Sequence, residues 1–124
     1  NTPYEPGKGY WGGRTLPAGE NNYAGIRAID STTGERKWEY KISQGSLAAG
    51  VMATASGVVF AGTREGNLIA LESKTGKLLW RFQTGGTIAS APISYAVDGK
   101  QFITMAAGGV LYSFALPEGL ASTR

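Results

Sequence analysis

The chain has 124 residues, a formal net charge of +3 and a 42% hydrophobic content, enough for one ordinary folded domain and too apolar for a disordered one. It has no cysteine and no histidine, which excludes disulfides, thiolate or histidine-based nucleophilic catalysis and the usual zinc ligand sets from this chain. Lys and Arg stand singly among acids, as in GERKWEYK, so no basic stripe for nucleic acid forms, and no apolar run approaches the roughly 18 residues of a membrane-spanning helix.

Residues 1–24 read as a loop or extension, because YEPGKGYWGGRTLPAGENNYAG is rich in Gly, Pro, Asn and aromatics. GKGYWGG is no phosphate loop, since it lacks the Gly-Lys-Ser/Thr ending and a helix to follow. A first pair of strands is expected over 25–30 and 36–42. In KWEYKI, Trp38, Tyr40 and Ile42 share one face while Lys37, Glu39 and Lys41 share the other. Further strands are expected near 48–54, 58–62, 67–72 and 78–84, then 88–95, 101–107 and 110–116. Residues 118–124 form a tail.

The stretches AIDSTTGERKW (28–38) and ALESKTGKLLW (70–80) repeat one pattern. Trp38 and Trp80 stand 42 positions apart, as do Gly34 and Gly76, and Asp30 and Glu72. The register continues through Gly57 and Gly99, and Phe60 and Phe102. A third copy begins, matching Gly66 to Gly108 and Leu68 to Val110, and stops at FALPEG before any Thr-Gly or Trp. Four short strands per period in the low forties, with no helical stripe, define an all-β fold of β-propeller blades. The blade boundaries fall near 43 and 85 within a partial propeller over 25–117.

That repeat gives the motif a mechanical reading. Asp30 and Glu72 end a third strand and accept backbone N–H groups of the turn that follows. Gly34 and Gly76 supply the positive φ of that turn. Trp38 and Trp80, early on the fourth and outermost strand, are expected to lie across the seam between blades. All six are expected to be architecture.

The strings RAIDSTTGERKWEYK, AAGVMATASGVVFAGTREGNLIALESKTGKLLWRFQTGG and SAPISYAVDGKQFITMAAGG resemble the tryptophan-docking repeats of quinoprotein alcohol and methanol dehydrogenases, which use pyrroloquinoline quinone (PQQ). The resemblance spans Gly25 to Pro117. It implies two to three blades of an eight-bladed propeller in the periplasm, with PQQ and a calcium or lanthanide ion near the central axis. The implied reaction is hydride transfer from an alcohol or sugar to the quinone, with a family aspartate as base. The family's catalytic Asp, metal-binding Glu and Asn, and vicinal cysteines lie upstream and have no counterpart here, so no catalytic or metal-binding residue is expected in this chain. By the same resemblance, Ala48, Ala49 and Gly50, and the turn at Gly108 and Gly109, approach the cofactor. Many members place a Trp where this chain has Ala48, and a Gly-Trp loop where Gly109 is followed by Val110.

The start in mid-blade and the FALP ending lead to the expectation of a C-terminal piece of a longer dehydrogenase, or else of several copies completing a ring. The expected partners are the remaining blades, on the same polypeptide or on other copies, and a small alcohol or sugar, but no nucleic acid and no membrane span. The alternative is a non-catalytic scaffold of the outer-membrane assembly lipoprotein type, which shares the repeat.

Overall fold

The computed structural model describes residues 3–10, 12, 23–42, 47 and 49–116. Among these residues the chain forms nine strands and no helix. The strands are β1 (Ala24–Ile29), β2 (Arg36–Ile42), β3 (Val51–Ala53), β4 (Val58–Gly62), β5 (Asn67–Glu72), β6 (Leu78–Gln83), β7 (Ile93–Val97), β8 (Lys100–Ala107) and β9 (Val110–Ala115). They group in chain order into a first sheet β1-β2, a middle sheet β3-β4-β5-β6 and a third sheet β7-β8-β9. Every pairing is antiparallel.

The sheets stack face to face because alternate residues leave each strand on opposite sides. On one side of the middle sheet, Ala61, Ile69 and Leu71 close on Ile26 of the first sheet, with Trp38, Tyr40, Leu47 and Val59 around them. On the other side, Leu68 meets Met105 and Ala107 of the third sheet and the fully buried Ile88, flanked by Ala49, Phe60, Tyr112 and Phe114. This explains why LIAL of β5 does not alternate: all four residues are buried, Ile69 and Leu71 against the first sheet and Leu68 against the third. Stacked antiparallel sheets in sequential order are propeller blades.

Two expected strands are shorter or displaced. The strand expected over 48–54 is only Val51–Ala53, and the one expected over 88–95 begins at Ile93. The residues in front of them are engaged elsewhere. Ile88 is fully buried and its N–H donates to the Thr63 carbonyl at 3.3 Å. Ser90 Oγ accepts the Ala106 N–H at 3.2 Å and donates to the Ala106 carbonyl. Pro92 has no N–H to give to a ladder.

The 42-residue offset also fails on β9. Ile69 stands opposite Ala61 in the middle sheet, and Phe114 stands opposite Ile103 in the third. Phe114 therefore takes the place of Ile69, 45 positions on, and Val110 is not the counterpart of Leu68. The cause is the tighter hairpin. Ala107 and Val110 pair across a two-residue turn, whereas Gly62 and Leu68 are joined by five residues.

Among the described residues, the outward edges of β1 and β9 carry no partner strand. Exposed Ile29 lies on β1 and Leu111, 72% accessible, on β9, while exposed Ile93 and Val97 lie on β7, the other edge of the third sheet. Unpaired edges with apolar flanks associate. Light scattering coupled to size exclusion is expected to show the chain associating as its concentration rises; a stable monomer throughout would contradict that.

Candidate functional site

Topology sorts the sequence motifs to two ends of the stack. The turns joining β1 to β2 and β5 to β6 lie at one end, together with the Asp98–Gly99 turn. The entries to β3 and β7, the Thr63–Gly66 turn and the Gly108–Gly109 turn lie at the other. A six-residue strand separates the ends by about 20 Å.

The docking motif occupies the first end. Asp30 Oδ1 accepts the N–H of Thr32 at 2.9 Å and of Thr33 at 3.2 Å. Its counterpart Glu72 is one methylene longer and instead accepts the hydroxyl proton of Thr75. The Gly34 and Gly76 N–H groups each donate to the carbonyl of that acidic residue at 2.8 Å. Both glycines have positive φ, 75° and 73°. Trp38 reaches across the seam: its Nε1 donates to the Ser73 carbonyl at 2.8 Å. Its ring lies on Gly76, where a Cβ would come within 2.5 Å of Cε3. Trp80 finds no such turn among the described residues. It is 40% exposed, stacked on Phe82 and edge-on to Phe114 at 5.3 Å between centroids.

The hydrogen bonds from Thr32 and then Thr33 to its ionised form hold the Asp30 carboxyl below its ordinary range. A depressed folded-state value adds stability above the unfolded value near pH 4 and loses it as the pH falls through the folded value. Thermal unfolding from pH 6 to pH 2 is therefore expected to fall more steeply for the wild type than for Asp30→Asn. Parallel curves would mean that the turn does not depend on this charge.

The other end gathers the cofactor-facing candidates along one crossing segment. Residues 84–91 run from the middle sheet to the third and tie both hairpin tips together. Thr84 donates through N and Oγ1 to the Gly66 carbonyl, and Tyr112 Oη donates to the Thr84 carbonyl at 2.7 Å. The Gly108 N–H donates to the Thr87 carbonyl at 2.8 Å. A Cβ on Gly86 would come within 3.0 Å of the Ala107 carbonyl oxygen, so that approach requires glycine. Ala49 packs against the Ile88 cluster, and a Cβ on Gly50 would sit 3.0 Å from that of Ala91. Ala48 lies outside the described residues. The structure thus brings Ala49, Gly50, Gly108 and Gly109 to one end, away from the six motif residues.

A family model named PQQ_2, described as outer membrane protein assembly factor BamB, matches residues 23–121. The chain belongs to the PQQ_2 family. It is 42% identical over 92% of its length to the quinoprotein alcohol dehydrogenase PedE of Pseudomonas putida, of which it spans 18%. Its fold matches quinohemoprotein alcohol dehydrogenase from Comamonas testosteroni over 68% of this chain and 12% of that one, with a TM-score of 0.63 and 33% identity. A europium-containing methanol dehydrogenase matches over 62% of this chain and 13% of that one, with a TM-score of 0.58 and 35% identity. The chain therefore spans under a fifth of the length of these relatives.

Within this PQQ_2 chain, the four described candidates carry no polar side chain: three are glycines, and Ala49 packs against the Ile88 cluster. Gly109 has open space where a Cβ would stand. No group of three or more Asp or Glu able to hold a metal ion occurs among the described residues. These four positions carry no side chain able to grip carboxylates or a cation. The Tyr112 and Ile88 contacts were not singled out from the sequence. The signal for them was FQTGG, a string in which Gln83, Thr84 and Gly86 contact or approach a hairpin tip.

Proposed function

We propose that this chain is part of the propeller of a PQQ-dependent dehydrogenase that oxidises alcohols or sugars in the periplasm, and that the segment is mainly structural. The observation that carries the reading is the 42% identity to a quinoprotein alcohol dehydrogenase across nearly the whole chain, motif, crossing segment and hairpin tips included. Residues 25–117 would be the propeller portion, divided near 43 and 85, with 1–24 and 118–124 outside it.

PQQ, held with calcium or a lanthanide, supplies the acceptor for the hydride of the alcohol. This chain's residues do other work in the proposal. Ala49, Gly50, Gly108 and Gly109, with Ala48, line the cofactor's surroundings and keep side chains out of its space. Asp30, Gly34, Trp38, Glu72, Gly76 and Trp80 hold the blades in register at the opposite end. The base and metal ligands would come from other parts of the longer protein, whose remaining blades are the partners of this segment.

A second reading is favoured by the description of the matching family model, an outer-membrane assembly factor, and by the lack of gripping side chains at the candidate end. In it the blades form a non-catalytic scaffold that binds other proteins. Titrating the complete, metal-free protein with PQQ and Ca²⁺ or a lanthanide, and following alcohol oxidation with a dye acceptor, separates the two. The enzyme reading expects turnover only with both additions. A well-folded complete protein inert to every alcohol and sugar tested would leave the scaffold reading standing.

A further inference from the structure

The middle sheet shows what a blade of this chain turns toward the blade before it. Ile69 and Leu71 of β5 are buried, 2% and 0% accessible, against the first sheet. The first sheet has the same internal register, including the same bulge one residue past the Ala–Trp pair. The residues in those places are Arg27 and Ile29. Glu39 stands where the middle sheet has Arg81, and Arg36 where it has Leu78.

These residues form a built network rather than loose surface charge. Arg27 Nε donates to Glu39 Oε1 at 2.7 Å, and Arg27 Nη2 donates to Tyr23 Oη at 3.0 Å. Tyr23 Oη donates to Glu39 Oε1 at 3.0 Å, closing a triangle. Arg36 Nη1 donates to Glu39 Oε2 at 3.2 Å, and Lys41 Nζ lies 4.8 Å over the Tyr23 ring. The Glu39 side chain is only 10% accessible even with this face open. Gly25 lies beneath it, where a Cβ would sit at ordinary contact distance, 3.6 Å from Glu39 Oε1 and 3.5 Å from the Tyr23 ring. One carboxylate among Arg27, Arg36 and Lys41 leaves the face positive. Ile29 beside it is 61% exposed in the place of a fully buried leucine.

We propose that this face seats an acidic sheet, the one that precedes β1 around the ring of the longer protein, and that charge closes this seam where aliphatic packing closes the next. The proposal rests on the propeller reading above. A second copy of this chain is a poor occupant. Among the described residues its open third-sheet face presents Ile93, Tyr95, Val97 and Leu111, and strands β7, β8 and β9 carry no carboxylate to meet the two arginines and Lys41. Burying paired charge gains little stability, but an unmatched charge there is costly, so the seam would accept one neighbour and reject others.

The test uses the complete protein that carries this segment. Treatment with a water-soluble carbodiimide joins an amine to a carboxylate only where they touch, and mass spectrometry locates the bond. A Lys41 amide to an Asp or Glu outside residues 1–124 is the expected product. Its absence, with Lys41 otherwise reactive, would overturn the proposal. Ile29 lies on the same face opposite Arg36, where the sheet's own charge favours a carboxylate, so only an acidic neighbour makes Ile29→Glu melt below Ile29→Lys; a gap of roughly 2–4 °C at low salt that shrinks in 1 M salt is expected. Equal melting of the two variants, or a higher value for Ile29→Glu, would also overturn it; if either variant fails to fold, the wild-type cross-link decides. Neither readout depends on PQQ, so a failed seam with intact alcohol oxidation, or the reverse, identifies which reading is wrong.

Discussion

Gly76→Ala is expected to destabilise the protein by about 2–5 kcal/mol, the sum of a left-handed backbone penalty and overpacking. Gly34→Ala, in the equivalent turn, is expected to cost only about 1–2 kcal/mol. The two glycines share their φ to within two degrees and the same backbone hydrogen bond. They differ in what lies over them. A Cβ on Gly34 meets nothing within 4 Å, whereas one on Gly76 meets the Trp38 indole at 2.5 and 2.7 Å. The indole cannot swing away freely, because its N–H is held by the Ser73 carbonyl. Urea unfolding of both variants measures the difference directly. Equal losses would mean that the Trp38 ring does not rest on the turn of the next blade.

Ile88→Ala is the second large effect, at about 2–5 kcal/mol. Ile88 is fully buried in the crossing segment between the middle and third sheets, packed with Leu68, Met105 and Ala107. Gly62 lies directly beneath it: a Cβ on Gly62 would overlap Ile88 Cγ2 and come within 2.9 Å of its Cβ. Gly62→Ala alone is therefore expected to cost about 1–3 kcal/mol by overpacking. In the double variant the new methyl enters space that the isoleucine has vacated, so the combined cost falls below the sum of the single costs. Simple additivity in a double-mutant cycle would contradict the packing described here. The consequence reaches the candidate site, since Thr87 next to Ile88 holds the Gly108 N–H and so fixes the turn there.

Much of this architecture is legible in the sequence because it repeats. A constant spacing of carboxylate, glycine and tryptophan reads as a turn and a fastener, and Asp30, Gly34 and Trp38 stand in such a turn and seam. The same reasoning breaks where the repeat does. Trp80 has the motif's spacing and crosses a seam to meet Phe114 of β9 edge-on, yet among the described residues no turn glycine lies under its ring. Alignment of turn glycines matched Gly66 to Gly108 and could not see that the two hairpins differ in length. Strand starts fail for a related reason: 88–92 is apolar enough to read as a strand, yet its hydrogen bonds go to Thr63 and Ala106.

The site is less legible than the fold. Ala49, Gly50, Gly108 and Gly109 carry no functional group, so only the resemblance singled them out, and only topology sets them at one end. The Arg27–Glu39–Tyr23 network was hidden in an ordinary alternation of charged residues along β2. It stands out only against Ile69 and Leu71, which fill the equivalent places one sheet later.

In the proposed function this chain is wall and fastener, with the reacting groups supplied by the rest of a longer protein. Dye-linked alcohol oxidation by the purified chain, given PQQ and Ca²⁺ or a lanthanide in excess, tests that claim most directly. No turnover above that of the cofactor and metal without protein is expected. Clear, saturable turnover by these 124 residues would contradict it.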